Sequence, residues 1–121
     1  MKKILIADDQ LEIRELIKLI FRIKNYHIFT AKSGREAIEV AKTEIPDLII
    51  MDIKMSGEID GLEATQILKN DPETKNCSII LMSGKDQREE IEKGYEAGAS
   101  GYFVKPFDPD DLIKKVEEIL E

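Results

Sequence analysis

The stretch Pro46-Asp47-Leu48-Ile49-Ile50-Met51-Asp52 decides the fold of this chain. An uninterrupted apolar run follows the proline and stops at a carboxylate. A short run of this kind is typical of a strand that is buried on both faces. Such strands occur in parallel sheets that helices cover on both sides. We therefore predict that Asp52 lies at the carboxyl end of a central strand, where open α/β sheets bind their ligands.

The length and composition of the chain fit a single cytoplasmic domain. The chain has 121 residues, 18 Lys and Arg, 25 Asp and Glu, and a formal net charge of -7. This charge argues against nucleic acid or an anionic membrane as the main partner. The apolar runs are far shorter than the roughly 20 residues that span a bilayer, and the first residues do not form a secretion signal. The single cysteine, Cys77, agrees with a reducing compartment. We expect a cytoplasmic location, no membrane insertion and no direct contact with nucleic acid.

Apolar runs and amphipathic segments alternate along the chain. Five strands are predicted, at 3–7, 27–31, 48–51, 78–82 and 102–104, and a segment with helical spacing follows each of them. Helix caps are expected at Ser33, Asp60, Asp86 and Asp108. The alternation predicts an α/β fold, a doubly wound (βα)5 sandwich. Its parallel sheet is expected in the order 2-1-3-4-5.

Some details of the helices are predicted as well. Leu16 belongs to the buried face of the first helix, which we expect to stop near Asn25, and Ile67 belongs to the buried face of the third. Ser33 and Glu36 form a capping box, in which each side chain should bond to the other's backbone N–H.

The fourth helix contains few apolar residues. Ile91, Tyr95 and Ala97 are nearly all that it has, so we expect it to be the least firmly packed helix. The pair Glu89-Glu90 is interpreted as part of its solvated face.

Polar residues stand where the predicted strands end. They are Asp8 and Asp9 after the first strand, Asp52 after the third, Ser83 after the fourth and Lys105 after the fifth. Strands one and three are neighbours in the predicted order, so the three aspartates should lie within several Å of one another. Two like charges about 4 Å apart repel by about 4 kcal/mol at an effective dielectric of 20, so a cation is expected between them.

The chemistry of these residues favours Mg2+ and a phosphoryl group. Mg2+ prefers oxygen ligands, retains several waters and also binds substrate phosphates. Lys105 would add a positive charge on the opposite side of the site, and Ser83 a hydroxyl donor, which together suit a phosphoryl group in transfer. Asp52 is the best placed nucleophile, since carboxylates form aspartyl phosphates.

The motifs at these strand ends resemble a known family. They are Ile4-Leu5-Ile6-Ala7-Asp8-Asp9, Asp47-Leu48-Ile49-Ile50-Met51-Asp52, Ile80-Leu81-Met82-Ser83-Gly84 and Gly98-Ala99-Ser100-Gly101-Tyr102-Phe103-Val104-Lys105-Pro106-Phe107. In this order, the chain resembles the receiver (CheY-like) domain of bacterial two-component response regulators over essentially its whole length. The resemblance implies a flavodoxin-like fold and a signalling protein that catalyses only its own phosphorylation and dephosphorylation.

The resemblance also implies roles around the phosphoacceptor. Asp52 would accept a phosphoryl group from the phosphohistidine of a sensor histidine kinase or a phosphotransfer protein, or from acetyl phosphate. Asp9 would bind Mg2+ directly, Asp8 largely through water, and the backbone carbonyl of Lys54 would complete the protein ligands together with Asp52.

Further residues are implied in the switch that follows phosphorylation. Lys105 would pair with the phosphoryl group, Ser83 would move to donate to it, and Tyr102 would turn inward. The Lys105-Pro106 bond is expected to be cis. The first helix and the loop after Lys105 are the expected docking face for the kinase. The fourth helix and the fifth strand are expected to form the surface that changes on phosphorylation and binds a downstream target, which is not identified. We expect a stand-alone receiver, or an excised one, with no effector domain in this chain.

One loop departs from the pattern of the family. After Asp52, residues 55–61 lack the usual proline and are one residue longer, so we expect a more mobile loop beside the metal.

Two other functions share parts of this pattern. A Mg2+-dependent aspartyl-phosphate phosphohydrolase would also use Asp52, but it usually has a second aspartate two residues on, where this chain has Lys54. It also needs a cap over its substrate, for which 121 residues leave no room. A flavin-binding module would need a hydroxyl- and glycine-rich phosphate loop after the first strand, where Asp8 and Asp9 would repel a phosphate.

Overall fold

The computed structural model describes residues 1–84 and 88–121, in which strands and helices alternate. The elements are β1 (Lys2–Ala7), α1 (Leu11–Ile20), β2 (Tyr26–Ala31), α2 (Gly34–Glu44), β3 (Leu48–Asp52), α3 (Gly61–Asn70), β4 (Ser78–Ser83), α4 (Arg88–Glu96), β5 (Gly101–Val104) and α5 (Pro109–Leu120). All four strand pairs are parallel, and the order is β2-β1-β3-β4-β5. The predicted doubly wound α/β fold and its strand order are confirmed. Among the helices of these two ranges, none has both the length and the apolar character needed to cross a membrane.

β3 lies in the middle of the sheet, between β1 and β4, and all of its residues are buried. Its side chains alternate between two cores, as the pleat of a strand requires. Ile49 and Met51 pack with residues of α2 and α3, whereas Leu48 and Ile50 pack with residues of α1 and α5. Each fully buried aliphatic side chain contributes about 1.5–3 kcal/mol. Asp52 therefore stands at the end of a strand that packing holds on both faces.

The capping box at the start of α2 is formed only in part. The hydroxyl of Ser33 accepts a hydrogen bond from the backbone N–H of Glu36 at 3.1 Å, as predicted. The carboxylate of Glu36, however, accepts from the backbone N–H of Lys32 at 3.1 Å. The predicted bond back to the N–H of Ser33 is thus wrong, because the Glu36 side chain reaches one residue further toward the N-terminus.

The other predicted caps have different outcomes. The carboxylates of Asp60 and Asp108 accept backbone N–H bonds at the starts of α3 and α5, which confirms both. The predicted cap at Asp86 lies outside the described residues.

The first helix is shorter than its pattern predicts. α1 ends at Ile20, not near Asn25. After a last four-residue bond from the N–H of Phe21 to the carbonyl of Ile17, the N–H of Arg22 donates to the carbonyl of Leu19 at 3.2 Å, which spans only three residues. Bonds of this span belong to tight turns, which here replace the last predicted helical turn.

Two residues predicted to be buried are exposed. Leu16 is 44% exposed and Ile67 is 42% exposed. Their neighbours Ile17 and Leu68 are the residues that face the sheet, at 0% exposure each. Successive helical residues point about 100° apart, so the residue beside the buried one turns toward the rim.

The packing of α4 agrees with its sequence. Among the described residues, no side chain of α4 belongs to either hydrophobic core, and Gly94 is its buried residue. A Cβ at Gly94 would lie 2.9 Å from Leu81 Cδ1, so the helix backbone is close to β4. α4 is thus held near the sheet without side chains that anchor it in a core, as predicted.

The start of α3 presses against the end of β3. The N–H of Gly61 donates to the carbonyl of Ile53 at 2.7 Å. A Cβ at Gly61 would lie 2.2 Å from the backbone carbonyl oxygen of Asp52. Only a glycine fits at this contact, which fixes the position of the Asp52 backbone.

We expect Gly61→Ala to destabilise the protein by about 1–3 kcal/mol, because the added methyl forces backbone apart in a packed region. Gly84→Ala is the matched control, since a Cβ there meets no atom of the described residues within 4 Å. Urea unfolding of both variants measures the difference. Equal stabilities of the two variants would show that the contact at Gly61 does not hold the strand end.

Candidate functional site

Three carboxylates converge at the carboxyl edge of the sheet. β1 and β3 are paired so that Ala7 lies opposite Met51, which brings the next residues, Asp8 and Asp52, side by side. One oxygen each of Asp8, Asp9 and Asp52 lies within 4.8 Å of the others. The predicted convergence is confirmed. Carboxylate oxygens are ligands that Mg2+ prefers, so this donor set fits the ion in its chemistry.

Asp8 is fully buried and both of its oxygens have protein partners. Its Oδ1 accepts from the backbone N–H of Gln10 at 2.9 Å, and its Oδ2 accepts from Lys105 Nζ at 2.9 Å. These bonds hold Asp8 in place at the edge of the cluster.

Lys105 lies among the carboxylates. Its ammonium is also 3.3 Å from Asp52 Oδ1. The side chain of Lys105, which follows β5, reaches over the strand ends to two aspartates. That its charge lies on the side of the site opposite the metal stays a prediction. Burial by itself lowers the pKa of Lys105, but its bonds and charge interactions with Asp8 and Asp52 raise it overall.

Asp52 has an unusual acidity in this setting. Burial, followed by the negative charge of Asp8, raises the pKa of Asp52 from 3.8 to about 6. The ammonium of Lys105 opposes this rise, and Asp9 adds a smaller increase. A carboxylate with a raised pKa is more basic and hence a better nucleophile once it is ionised.

The loop after Asp52 contacts the cluster directly. Asp9 is exposed, and its Oδ2 accepts from the backbone N–H of Ser56 at 3.0 Å. Further along the loop, Glu58 forms an ion pair with Arg35 of α2 at 3.5 Å. The longer loop thus has attachments to Asp9 and to α2, while its predicted mobility stays a prediction. Lys54, whose backbone carbonyl is a predicted metal ligand, is exposed next to the site.

The predicted switch residues share a partner that the sequence did not indicate. Ser83 is fully buried, and its hydroxyl donates to Glu90 Oε2 at 2.9 Å. The hydroxyl of Tyr102 donates to the same oxygen at 3.3 Å. Glu90 is half-buried in the first turn of α4, so its assignment to a solvated face is wrong. Glu90 lies in the first turn of the helix that follows β4, the strand that ends at Ser83. This position in the sequence could have indicated the contact with Ser83.

An apolar groove of about 280 Å³ lies beside the site. It is lined by Ile13, Leu16, Lys105, Pro106, Phe107 and Pro109. The Lys105-Pro106 bond is cis, as expected. The exposed Leu16 therefore belongs to a surface that adjoins the carboxylates.

Comparison with known proteins identifies this arrangement. The sequence profile described as response regulator receiver domain matches residues 4–117. The chain is 36% identical to the sporulation initiation phosphotransferase F of Bacillus subtilis, over 98% of this chain and 94% of that protein. It is also 36% identical to the transcriptional regulatory protein ResD of the same organism, but spans only 48% of that protein's length. The chemotaxis protein CheY4 of Vibrio cholerae has the same fold, with a TM-score of 0.90 and 31% identity over 99% of each chain.

The raised pKa of Asp52 predicts how stability depends on pH in metal-free protein. A carboxyl that is more basic in the folded state favours folding below pH 3.8, and this contribution is lost as the pH rises through about 6. Each unit of pKa shift corresponds to about 1.4 kcal/mol, so ionised Asp52 lowers the free energy of unfolding by at most about 3 kcal/mol above about pH 6. We expect Asp52→Asn to be more stable than wild type at pH 7.5 in EDTA, and the gap to close below pH 4.

Denaturant unfolding across this pH range measures the gap, and added Mg2+ is the control. The ion should stabilise wild type more than Asp52→Asn, because it neutralises the charge that the variant lacks. A wild type that equals or exceeds Asp52→Asn in stability at pH 7.5 without metal would contradict the assigned electrostatics.

Proposed function

The chain belongs to the response regulator receiver domain family of two-component systems, and from this we propose that Asp52 is its phosphoacceptor. Mg2+ would bind to Asp8, Asp9, Asp52 and the backbone carbonyl of Lys54. One observation supports the proposal above others. The three carboxylates and the ammonium of Lys105 meet at the carboxyl edge of the sheet, where Asp52 ends the central strand.

The proposed reaction is an in-line transfer to Asp52. An oxygen of the Asp52 carboxylate attacks phosphorus, and the P–N bond of a phosphohistidine breaks. The bonding electron pair stays on the imidazole nitrogen, which a proton from solvent then neutralises. With acetyl phosphate, a P–O bond breaks and acetate leaves. Mg2+ would supply charge neutralisation for the phosphoryl oxygens.

Residues of the chain support each part of this step. β3 packs on both faces and Gly61 fixes its end, so Asp52 is held in one position for attack. The Lys105 ammonium, already 3.3 Å from Asp52 Oδ1, can pair with a phosphoryl oxygen after a small movement. The Ser83 hydroxyl, at the end of β4, would be a further donor to the phosphoryl group.

The proposed partner at the apolar groove is a phosphohistidine-bearing protein, either a sensor histidine kinase or a phosphotransfer protein. The groove includes Lys105 and one face of α1, so a protein seated there would bring its phosphohistidine next to Asp52. The exposed Leu16 at its rim offers apolar contact area. The name of the Bacillus subtilis relative, a phosphotransferase, supports a role in passing the phosphoryl group on.

The proposed role is signalling in the cytoplasm. The domain would catalyse only its own phosphorylation and dephosphorylation, and the phosphorylated form would change its surface at α4 and β5 for a downstream protein. The absence of an effector domain stays a prediction. The alternative of an aspartyl-phosphate phosphohydrolase is not favoured, since the receiver profile covers residues 4–117 and the similar proteins are response regulators.

Incubation with acetyl phosphate and Mg2+ tests the phosphoacceptor. We expect the intact mass of wild type to rise by about 80 Da, the mass of one phosphoryl group. Asp52→Asn should show no gain, and EDTA should abolish the gain of wild type. Asp110→Asn, at an exposed position of α5, is the matched control that should gain mass as wild type does. Modification of Asp52→Asn to the wild-type extent would exclude Asp52.

A further inference from the structure

Glu90 joins the two predicted switch residues through a single oxygen. Its Oε2 accepts from the hydroxyl of Ser83 at 2.9 Å and from that of Tyr102 at 3.3 Å. We call this arrangement the Glu90 bridge. It connects the end of β4, the middle of β5 and the first turn of α4, which are three elements around the predicted switch surface.

The Glu90 bridge competes with a phosphoryl group for the proton of the Ser83 hydroxyl. A serine or tyrosine hydroxyl has one proton to donate. Met82 of β4 is paired with Asp52 of β3 in the sheet, and Ser83 is the residue that follows Met82. If the Ser83 hydroxyl donates to a phosphoryl oxygen on Asp52, it can no longer donate to Glu90. The two bonds are therefore alternatives.

The consequence of this exchange falls on α4. Among the described residues, α4 places no side chain in either core. Glu90 gives it bonds to both β4 and β5. Loss of the Ser83 donor removes one of these two bonds and frees the first turn of α4 to move away from the strand ends.

We propose that Glu90 is a positioning residue that holds Ser83, Tyr102 and α4 in the unphosphorylated arrangement, so that its carboxylate sets how readily the domain switches. The proposal rests on the proposed function, since it requires a phosphoryl group on Asp52. By linkage, a contact that is made only in the unphosphorylated state weakens the binding of a phosphoryl mimic. Removing Glu90 should therefore strengthen that binding.

Beryllium fluoride with Mg2+, a tetrahedral mimic of an aspartyl phosphate, is the probe. We expect Glu90→Gln and Glu90→Ala to bind it about tenfold more tightly than wild type. This factor is what the loss of hydrogen bonds to a charged acceptor in the unliganded state should give. Glu92→Gln changes the same charge at an exposed position of the same helix and should bind as wild type does. Calorimetry gives the affinities.

A second readout follows Tyr102 itself. In protein labelled with fluorotyrosine, the fluorine signal of Tyr102 in unliganded Glu90→Gln should shift toward its position in the liganded wild type. The other two tyrosines, Tyr26 and Tyr95, serve as internal references. A change in general stability would not move the Tyr102 signal in this direction.

The decisive comparison is made in a background without the two hydroxyls, Ser83→Ala with Tyr102→Phe. If the Glu90 bridge acts through these donors, Glu90→Gln should change the affinity there by no more than about twofold. The same tenfold gain in both backgrounds would reveal a bare charge effect and overturn the proposal, as would no gain in the wild-type background. A wild type that binds no beryllium fluoride would overturn the proposed function, and the proposal with it.

Discussion

The pairing of the strands places several negative charges at one edge of the sheet. This concentration of charge is the constraint on which the rest of the structure depends. Pairing of β1 with β3 places Asp8 beside Asp52 whatever their repulsion costs. Lys105 offsets part of that cost from 2.9 and 3.3 Å, and the cluster remains negative. The two cores hold β3 on both faces, so the carboxylates cannot separate. This excess of negative charge suits the site to a divalent cation, which would in turn attract phosphoryl oxygens.

The fold and the centre of the site could be predicted from the sequence because both follow from chain direction. An apolar run fixes a buried strand, alternation with helices fixes a parallel sheet, and every strand of such a sheet ends at the same edge. The convergence of Asp8, Asp9 and Asp52 at that edge follows without any knowledge of side-chain contacts. The cis bond at Pro106 followed only from the resemblance to the family.

What the sequence could not provide depends on packing between elements. Leu16 and Ile67 were predicted to be buried but are exposed. A helix that packs on a sheet buries a narrower face than its apolar composition suggests. The location of Lys105 between Asp8 and Asp52 needed the path of the chain after β5. Glu90 was hidden among the charged residues of α4, where a solvated face is the usual interpretation. Only the tertiary structure shows that it contacts β4 and β5.

The most direct test of the central claim is to locate the phosphoryl group on the chain. Borohydride reduces an aspartyl phosphate to homoserine, and peptide mass spectrometry identifies the position of the new residue. After treatment with acetyl phosphate and Mg2+, the account predicts homoserine at position 52. Homoserine at another aspartate, or none in protein that demonstrably carries a phosphoryl group, would contradict it.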